Sequence, residues 1–235
     1  MCEFPRPVPV GPEVLVSVEG TTICGSDAHT VHGRRAVAVP MIAGHEIVGR
    51  ILSFGPEAPL HDIGGRELNI GDRITWAIVA NCGQCFFCER GLPQKCLRGI
   101  KYGHEVLSSG RELYGGLATH CLLAEGTSII RVPEALSLAE ACPASCATAT
   151  VFAALEAAGP VTGRSVCIFG AGMLGLTACA AVRTLGAENV VCVDPAAERR
   201  QSAMLFGATQ SVTPEEVRAV PGTMRARCAH GGERP

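Results

Sequence analysis

Apolar positions along this chain come in short runs. Four of them are Val14-Leu15-Val16-Ser17-Val18-Glu19, Ile47 to Phe54, Ile74 to Val79 and Ser128 to Pro133. Runs of this length, rich in branched residues, predict strands, and their close spacing with glycine turns predicts a small, mostly β domain. The first twelve residues are proline-rich and read as an extended arm, His32 to Pro40 reads as a surface loop, and Gly55 to Gly71 as an irregular excursion. A helix is expected from Ser137. Beyond it the pattern changes: Ser165 to Phe169 reads as a short buried strand, Leu176 to Leu185 as a helix, Val190 to Val193 as a strand, Ala197 to Phe206 as a second helix and Thr209 to Val212 as a third strand. Strands alternating with helices predict a parallel sheet, so the fold class is α/β with a mostly β first domain. Pro221 to Pro235 has no apolar period and reads as a disordered tail.

Two soft donors interrupt the first domain. Cys24 opens the turn Cys24-Gly25-Ser26-Asp27-Ala28-His29, and His45 stands in Gly44-His45-Glu46 at the head of a run that reaches Gly55. Each alone would read as core, since cysteine usually acts as a small buried hydrophobe. Together a thiolate and an imidazole are two parts of a tetrahedral zinc site, and a catalytic site takes three protein ligands plus a water, so one more ligand is expected downstream. A second cluster is Cys82-x2-Cys85-x2-Cys88-x7-Cys96. Its two-residue gaps let successive thiolates point to a common centre, which predicts a closed structural zinc site. Such a metal would order a lobe that contains Gly83, Gly91 and Pro93 and little core of its own.

The second half carries Gly170-Ala171-Gly172-Met173-Leu174-Gly175 between a strand and a helix, with Asp194 closing the next strand. Glycines there allow a tight turn, close approach to a pyrophosphate and helix packing, while the acid would bond the ribose hydroxyls and repel a 2′-phosphate. That favours NAD over NADP, and Arg199 with Arg200 pulls the other way. Only the first, adenosine-binding half of a doubly wound domain is expected.

The chain is 47% hydrophobic and 18% charged with a net charge of −2. It has no basic field for nucleic acid, no apolar run of about eighteen residues for a membrane, and no signal-peptide order at its start. A cytoplasmic protein with no nucleic-acid or membrane partner is expected. Thirteen cysteines in a reducing compartment argue for metal thiolates and reduced core thiols over disulfides.

Gly44-His45-Glu46-x-x-Gly49 running on to Gly55 and Ala58 resembles the zinc signature of the medium-chain alcohol dehydrogenases, and the four-cysteine spacing is similar to their structural site. The resemblance covers nearly residues 8 to 215. It implies a GroES-like zinc-binding catalytic domain over 1–146, a partial Rossmann domain over 147–220 and the tail 221–235. It also implies two zinc ions per chain, one catalytic and one structural, with Cys24 and His45 as catalytic ligands. Cys142 and Cys146 both offer the third thiolate; Cys146 is taken because Thr150, four residues on, matches the family residue that packs on the nicotinamide. Ser26 and His29 match the family's proton relay, and Glu46 and Asp27 its outer acids. The activity implied is reversible hydride transfer between an alcohol or aldehyde and NAD(P), in a homo-oligomer. The stretch Gly91 to Cys96 with Lys101-Tyr102-Gly103-His104-Glu105 further resembles the subgroup associated with phosphonate breakdown, which implies that some of Lys95, Arg98, Lys101, Tyr102 and His104 face an anionic substrate. The rival expectation is a truncated, non-catalytic zinc-binding fragment. A zinc-free quinone reductase of the same superfamily is disfavoured, because such relatives lack both ligand sets.

Overall fold

The computed structural model describes residues 2–108 and 112–218, so the tail expected over 221–235 lies outside the described residues. The chain divides into two compact units, Met1–Cys146 and Ala147–Pro235.

The first unit is built on strands β1 (Val14–Thr22), β2 (Glu46–Phe54), β3 (Arg73–Trp76), β6 (His120–Leu123) and β7 (Ile129–Arg131), in the order β6-β1-β2-β3-β7. Val14, Val16, Val18, Thr21 and Thr22 suit β1 because branched side chains pack well on a pleated surface. Val14, Leu15, Val16, Ile47, Ile51, Ile74, Trp76 and Leu123 fill the core. Burying each such aliphatic side chain contributes about 1.5–3 kcal/mol. The antiparallel register runs from Val14 opposite Phe54 to Thr22 opposite Glu46. Cys24 and His45 therefore leave the same end of one ladder, which is how residues far apart in sequence come to share a site.

Three expectations are corrected in this unit. The stretch after Cys24 is not a bare turn but a short helix, α1 (Gly25–Val31), which Cys24 precedes in extended backbone while Asp27 accepts its N–H at 2.9 Å. The run Ile74 to Val79 is broken: β3 stops at Trp76, and Val79–Ala80 (β4) pairs instead with Ile100–Lys101 (β5). An apolar run does not reveal that the chain changes sheets at Ala77-Ile78. Tyr102 faces no substrate, since it is fully buried with Trp76 and Tyr114 edge-on at 6.2 and 6.0 Å. Its hydroxyl meets Thr127 Oγ1 at 2.6 Å and accepts the Ala124 N–H at 2.8 Å. Tyr102→Phe is expected to lower stability by about 1–3 kcal/mol, because it removes the acceptor of the buried Ala124 N–H, whereas Thr127 Oγ1 keeps its bond to the Ala124 carbonyl at 2.7 Å. A urea unfolding midpoint that does not move would contradict this.

A short helix α2 (Leu138–Ala141), begun by Ser137 in a reciprocal cap with Glu140, leads to a single 3₁₀ turn, Cys142–Ser145, and so to Cys146. This turn packs against β2, with Cys142 buried among Val48, Val132 and Ala141.

The second unit contains α3 (Ala147–Ala158), β8 (Ser165–Phe169), α4 (Met173–Thr184), β9 (Asn189–Val193), α5 (Ala197–Leu205), β10 (Gln210–Val212) and α6 (Pro214–Arg218). Its strands are parallel in the order β10-β9-β8, the first half of a doubly wound sheet. Cys179, Val182, Val190, Cys192 and Ala203 form its core. Strand β8 was expected to be buried, yet Ser165 is exposed and Phe169 is 71% exposed. The strand lies at the sheet edge, and branched residues alone do not show whether a neighbour is present. Helix α4 starts earlier than expected because Gly172 serves as its N-terminal cap. Among the described residues no single helix is long and apolar enough to cross a membrane.

Candidate metal centres and nucleotide loop

The end of the β1–β2 ladder gathers Cys24, His45 and Glu46, and the turn after α2 delivers Cys146 to them. Donor atoms of these four residues all lie within 4.8 Å of one another, with the two sulfurs 4.0 Å apart. Ser145 Oγ donates to the His45 carbonyl at 3.4 Å and ties the turn to β2's entry. His45 turns Nδ1 toward Asp27 Oδ1 at 3.3 Å, although neither atom makes a hydrogen bond of ordinary geometry. That leaves Nε2 for the other side, where Ser26 Oγ stands 3.5 Å away. Glu46, expected as an outer acid, has a carboxylate oxygen inside the donor group and accepts the Thr22 hydroxyl at 2.6 Å. Two thiols, an imidazole and a carboxylate at this spacing fit Zn²⁺, whose ligands are drawn from those groups. Burial first, and then the charges of Cys24 and Glu46, push the Cys146 thiol up to about 12. A cation among these donors would reverse that, since a coordinating thiol is deprotonated.

Of the two thiols open to the sequence, the structure brings Cys146 to the cluster and leaves Cys142 in the core. His29 is exposed on α1, one turn after Ser26. His104, one of the residues that the resemblance turned toward an anionic substrate, lies in the turn after β5, and its ring is 5.2 Å from that of His45. Burial, then Lys101 and Arg35, lower its pKa to about 4, so its imidazole is neutral at pH 7. The signal was Gly103, with φ +76°: a Cβ there would come 2.6 Å from the Gly44 carbonyl oxygen, so only glycine lets this turn lie on the His45 segment.

The four-cysteine loop also closes. Cys85–Cys88 and Cys82–Cys96 sulfurs are 3.5 Å apart and Cys85–Cys96 3.9 Å, and all four thiols share one group within 4.8 Å. Backbone N–H groups, that of Leu97 foremost, hold Cys85 down at about 6, whereas burial and the neighbouring thiols push Cys88 up to about 11. Arg98 donates to Cys82 Sγ at 3.5 Å, so its charge serves these thiolates rather than a substrate. The donor chemistry fits a second zinc in a closed site.

In the second unit Gly170 takes φ +96°, and a Cβ on Gly175 would run into the Gly170 carbonyl. The loop thus brings its backbone to the start of α4, with Gly172 as cap and Met173 and Leu174 exposed. Free N–H groups at a helix start attract phosphate. Asp194 is buried at the end of β9, where it accepts the N–H groups of Ala171 and Ala196, both at 2.8 Å, which hold its carboxyl below the usual range. Arg200 donates to the carbonyls of Asp194 and Pro195, while Arg199 is exposed. Thr150 is exposed on α3.

The family described as alcohol dehydrogenase GroES-like domain matches residues 11–134. An alcohol dehydrogenase of Geobacillus stearothermophilus is 36% identical over 207 residues, which are 86% of this chain and 56% of that protein. Among solved structures, an alcohol dehydrogenase of Thermotoga maritima aligns with a TM-score of 0.81 at 32% identity, over 90% of this chain and 58% of that one. A candidate zinc-binding dehydrogenase of Sinorhizobium meliloti 1021 bound to NADP aligns with a TM-score of 0.77 at 28% identity, over 92% and 60%. The chain thus spans between half and two thirds of the length of these relatives. A GroES-like domain matched over more than half of the chain, followed by a partial Rossmann sheet, places this protein in the zinc-dependent medium-chain alcohol dehydrogenase family.

Proposed function

We propose that the chain is the metal- and nucleotide-binding part of an enzyme that transfers hydride reversibly between an alcohol and NAD(P), with residues 147–220 as its nucleotide-binding half. The observation that carries this reading is the convergence of Cys24, His45, Glu46 and Cys146 within 4.8 Å. When bound, zinc at these donors supplies Lewis-acid polarisation of the alcohol oxygen, and the nicotinamide accepts the hydride. The alcohol loses one hydride and one proton and becomes a carbonyl. Ser26 takes the proton, since a hydroxyl both accepts and donates and Oγ lies 3.5 Å from His45 Nε2. His29, exposed on the same helix, passes it to solvent. Asp27 orients His45 through Nδ1, and Thr150 packs on the nicotinamide.

The cofactor is NAD in this reading, on the strength of the Asp194 charge where β9 ends. A homo-oligomer in the cytoplasm belongs to the same reading. Parallel fluorescence titrations of the zinc-loaded chain with NADH and NADPH are expected to show NADH bound about tenfold tighter, equivalent to ~1.4 kcal/mol. NADPH bound as well as NADH would overturn the choice of cofactor. If alcohols also reduce NAD, turnover is shown; zinc held with neither dinucleotide bound would reduce the reading to a zinc-binding fragment.

A further inference from the structure

We propose that Arg73, though not itself a metal donor, positions Cys146 beside Cys24, His45 and Glu46 and so sets how tightly that centre holds zinc. The inference rests on reading those four residues as the metal centre of the proposed enzyme.

The stretch from Pro133 to Cys146 has little regular structure of its own. Helix α2 has four residues and is followed by a single 3₁₀ turn. Helices this short do not hold themselves in water, so the shape of the stretch comes from outside contacts. Yet its end is placed closely enough to bring Cys146 Sγ to 4.0 Å from Cys24 Sγ. The later part is held by packing: Leu138 lies over Gly20 of β1, where a Cβ would come 3.1 Å from Leu138 Cδ1, and Cys142 packs with Val48 and Val132. Ser145 Oγ donates to the His45 carbonyl at 3.4 Å. The start of the stretch is held by arginines.

Arg73 begins β3 opposite Arg50 of β2 and is only 6% exposed. Its carbonyl accepts the Val132 N–H at 2.8 Å, which brings the incoming chain alongside. Its Nη1 then donates to the carbonyls of Pro133 at 3.2 Å and Leu136 at 2.6 Å, while Nε donates to Glu19 Oε2 at 3.0 Å. Leu136 directly precedes Ser137, the residue that caps α2. One planar group thus ties β1 and β3 to the main chain from which Cys146 is hung. A buried guanidinium keeps such partners because losing them would leave an uncompensated charge in the interior. Lysine offers no rigid fork and cannot hold all three acceptors in this geometry. Arg50 meets the same Glu19 and forks to Glu134 with both distances at 2.8 Å, but its side chain is 36% exposed and that of Glu134 66%. Exposed pairs contribute little. Arg73 is therefore the anchor that is both buried and bonded to the main chain of this stretch.

The test is alkylation of the full chain by iodoacetamide at a series of buffered free zinc concentrations, with each cysteine followed by mass spectrometry, so that protection reports the affinity of each centre separately. In Arg73→Lys the free zinc needed to protect Cys24 and Cys146 is expected to rise about tenfold, while that for Cys82, Cys85, Cys88 and Cys96 stays as in the natural chain. Ile74, the next residue on β3, fills the core, so Ile74→Val lowers the urea unfolding midpoint and leaves both protection curves in place. No rise in Arg73→Lys, or an equal rise in Ile74→Val, overturns the positioning role. Where Arg73→Lys loses protection at every one of these thiols, the unit has failed to fold and Glu19→Gln decides. That change keeps Arg73 but weakens its hold on β1, and a rise of about twofold or more at Cys24 and Cys146 alone is expected, whereas no rise overturns the proposal. Zinc that protects Cys24 and Cys146 equally in the natural chain and in Arg73→Lys removes only the role of Arg73. Zinc that protects neither in the natural chain removes the metal centre, and the role of Arg73 with it.

Discussion

Replacing Cys146 with serine is expected to leave the chain with one zinc in place of two. The thiolate is one of four donors within 4.8 Å, and its partner sulfur on Cys24 lies 4.0 Å away. Loss of an outer partner of a metal ligand already costs ~10–100-fold in affinity, and loss of a direct thiolate exceeds that. The four-cysteine group shares no ligand with this centre and keeps its own metal. Cys142→Ser, only four residues earlier, is expected to hold two zinc ions, because that side chain packs on Val48, Val132 and Ala141 rather than on the donors. Its effect is on packing. Atomic absorption on the two variants checks the pair, and two zinc ions retained by Cys146→Ser, or one lost by Cys142→Ser, would refute the assignment of the third thiolate.

The second large effect is expected from Cys96→Ser. Between β4 and β5 the chain has two single 3₁₀ turns, Cys88–Arg90 and Pro93–Lys95, and neither contains a buried residue. A segment with so little apolar burial depends on its metal for order, and structural zinc in small peptides supplies about 10–16 kcal/mol. Without Cys96 the metal leaves and the segment opens. Trypsin then reaches Arg90, Lys95 and Arg98, which lie within it. Cleavage is expected to rise by about tenfold or more, since it follows the population of the opened form. The β1–β2 core remains protected. Unaltered digestion kinetics in Cys96→Ser would contradict a structural role for this metal.

Much of this was legible in the sequence where local chemistry decides the outcome. Val14 to Val18 and Ile47 to Phe54 declare a paired, buried sheet through their branched residues, and the glycines from 170 to 175 declare a tight turn between a strand and a helix. Cysteine spacing predicted a common centre because a two-residue gap is a local geometric fact. What depends on distant contacts was not legible. The break after Trp76 reflects a change of sheet, and the exposure of Phe169 reflects its place at a sheet edge. Helix α1 has no apolar period and is set by Asp27 closing back on Cys24. Cys142 and Cys146 were equivalent by composition; the turn begun at Cys142-Pro143 faces one thiol to β2 and delivers the other to Cys24.

That one chain holds two chemically different zinc centres is tested most directly by zinc K-edge X-ray absorption on the purified, zinc-loaded protein. Four sulfurs at one centre and two at the other average to three sulfurs and one nitrogen or oxygen per zinc, with Zn–S distances of about 2.3 Å. A shell of sulfur alone would show that only the four-cysteine group binds metal, and would contradict a catalytic zinc on Cys24, His45 and Cys146.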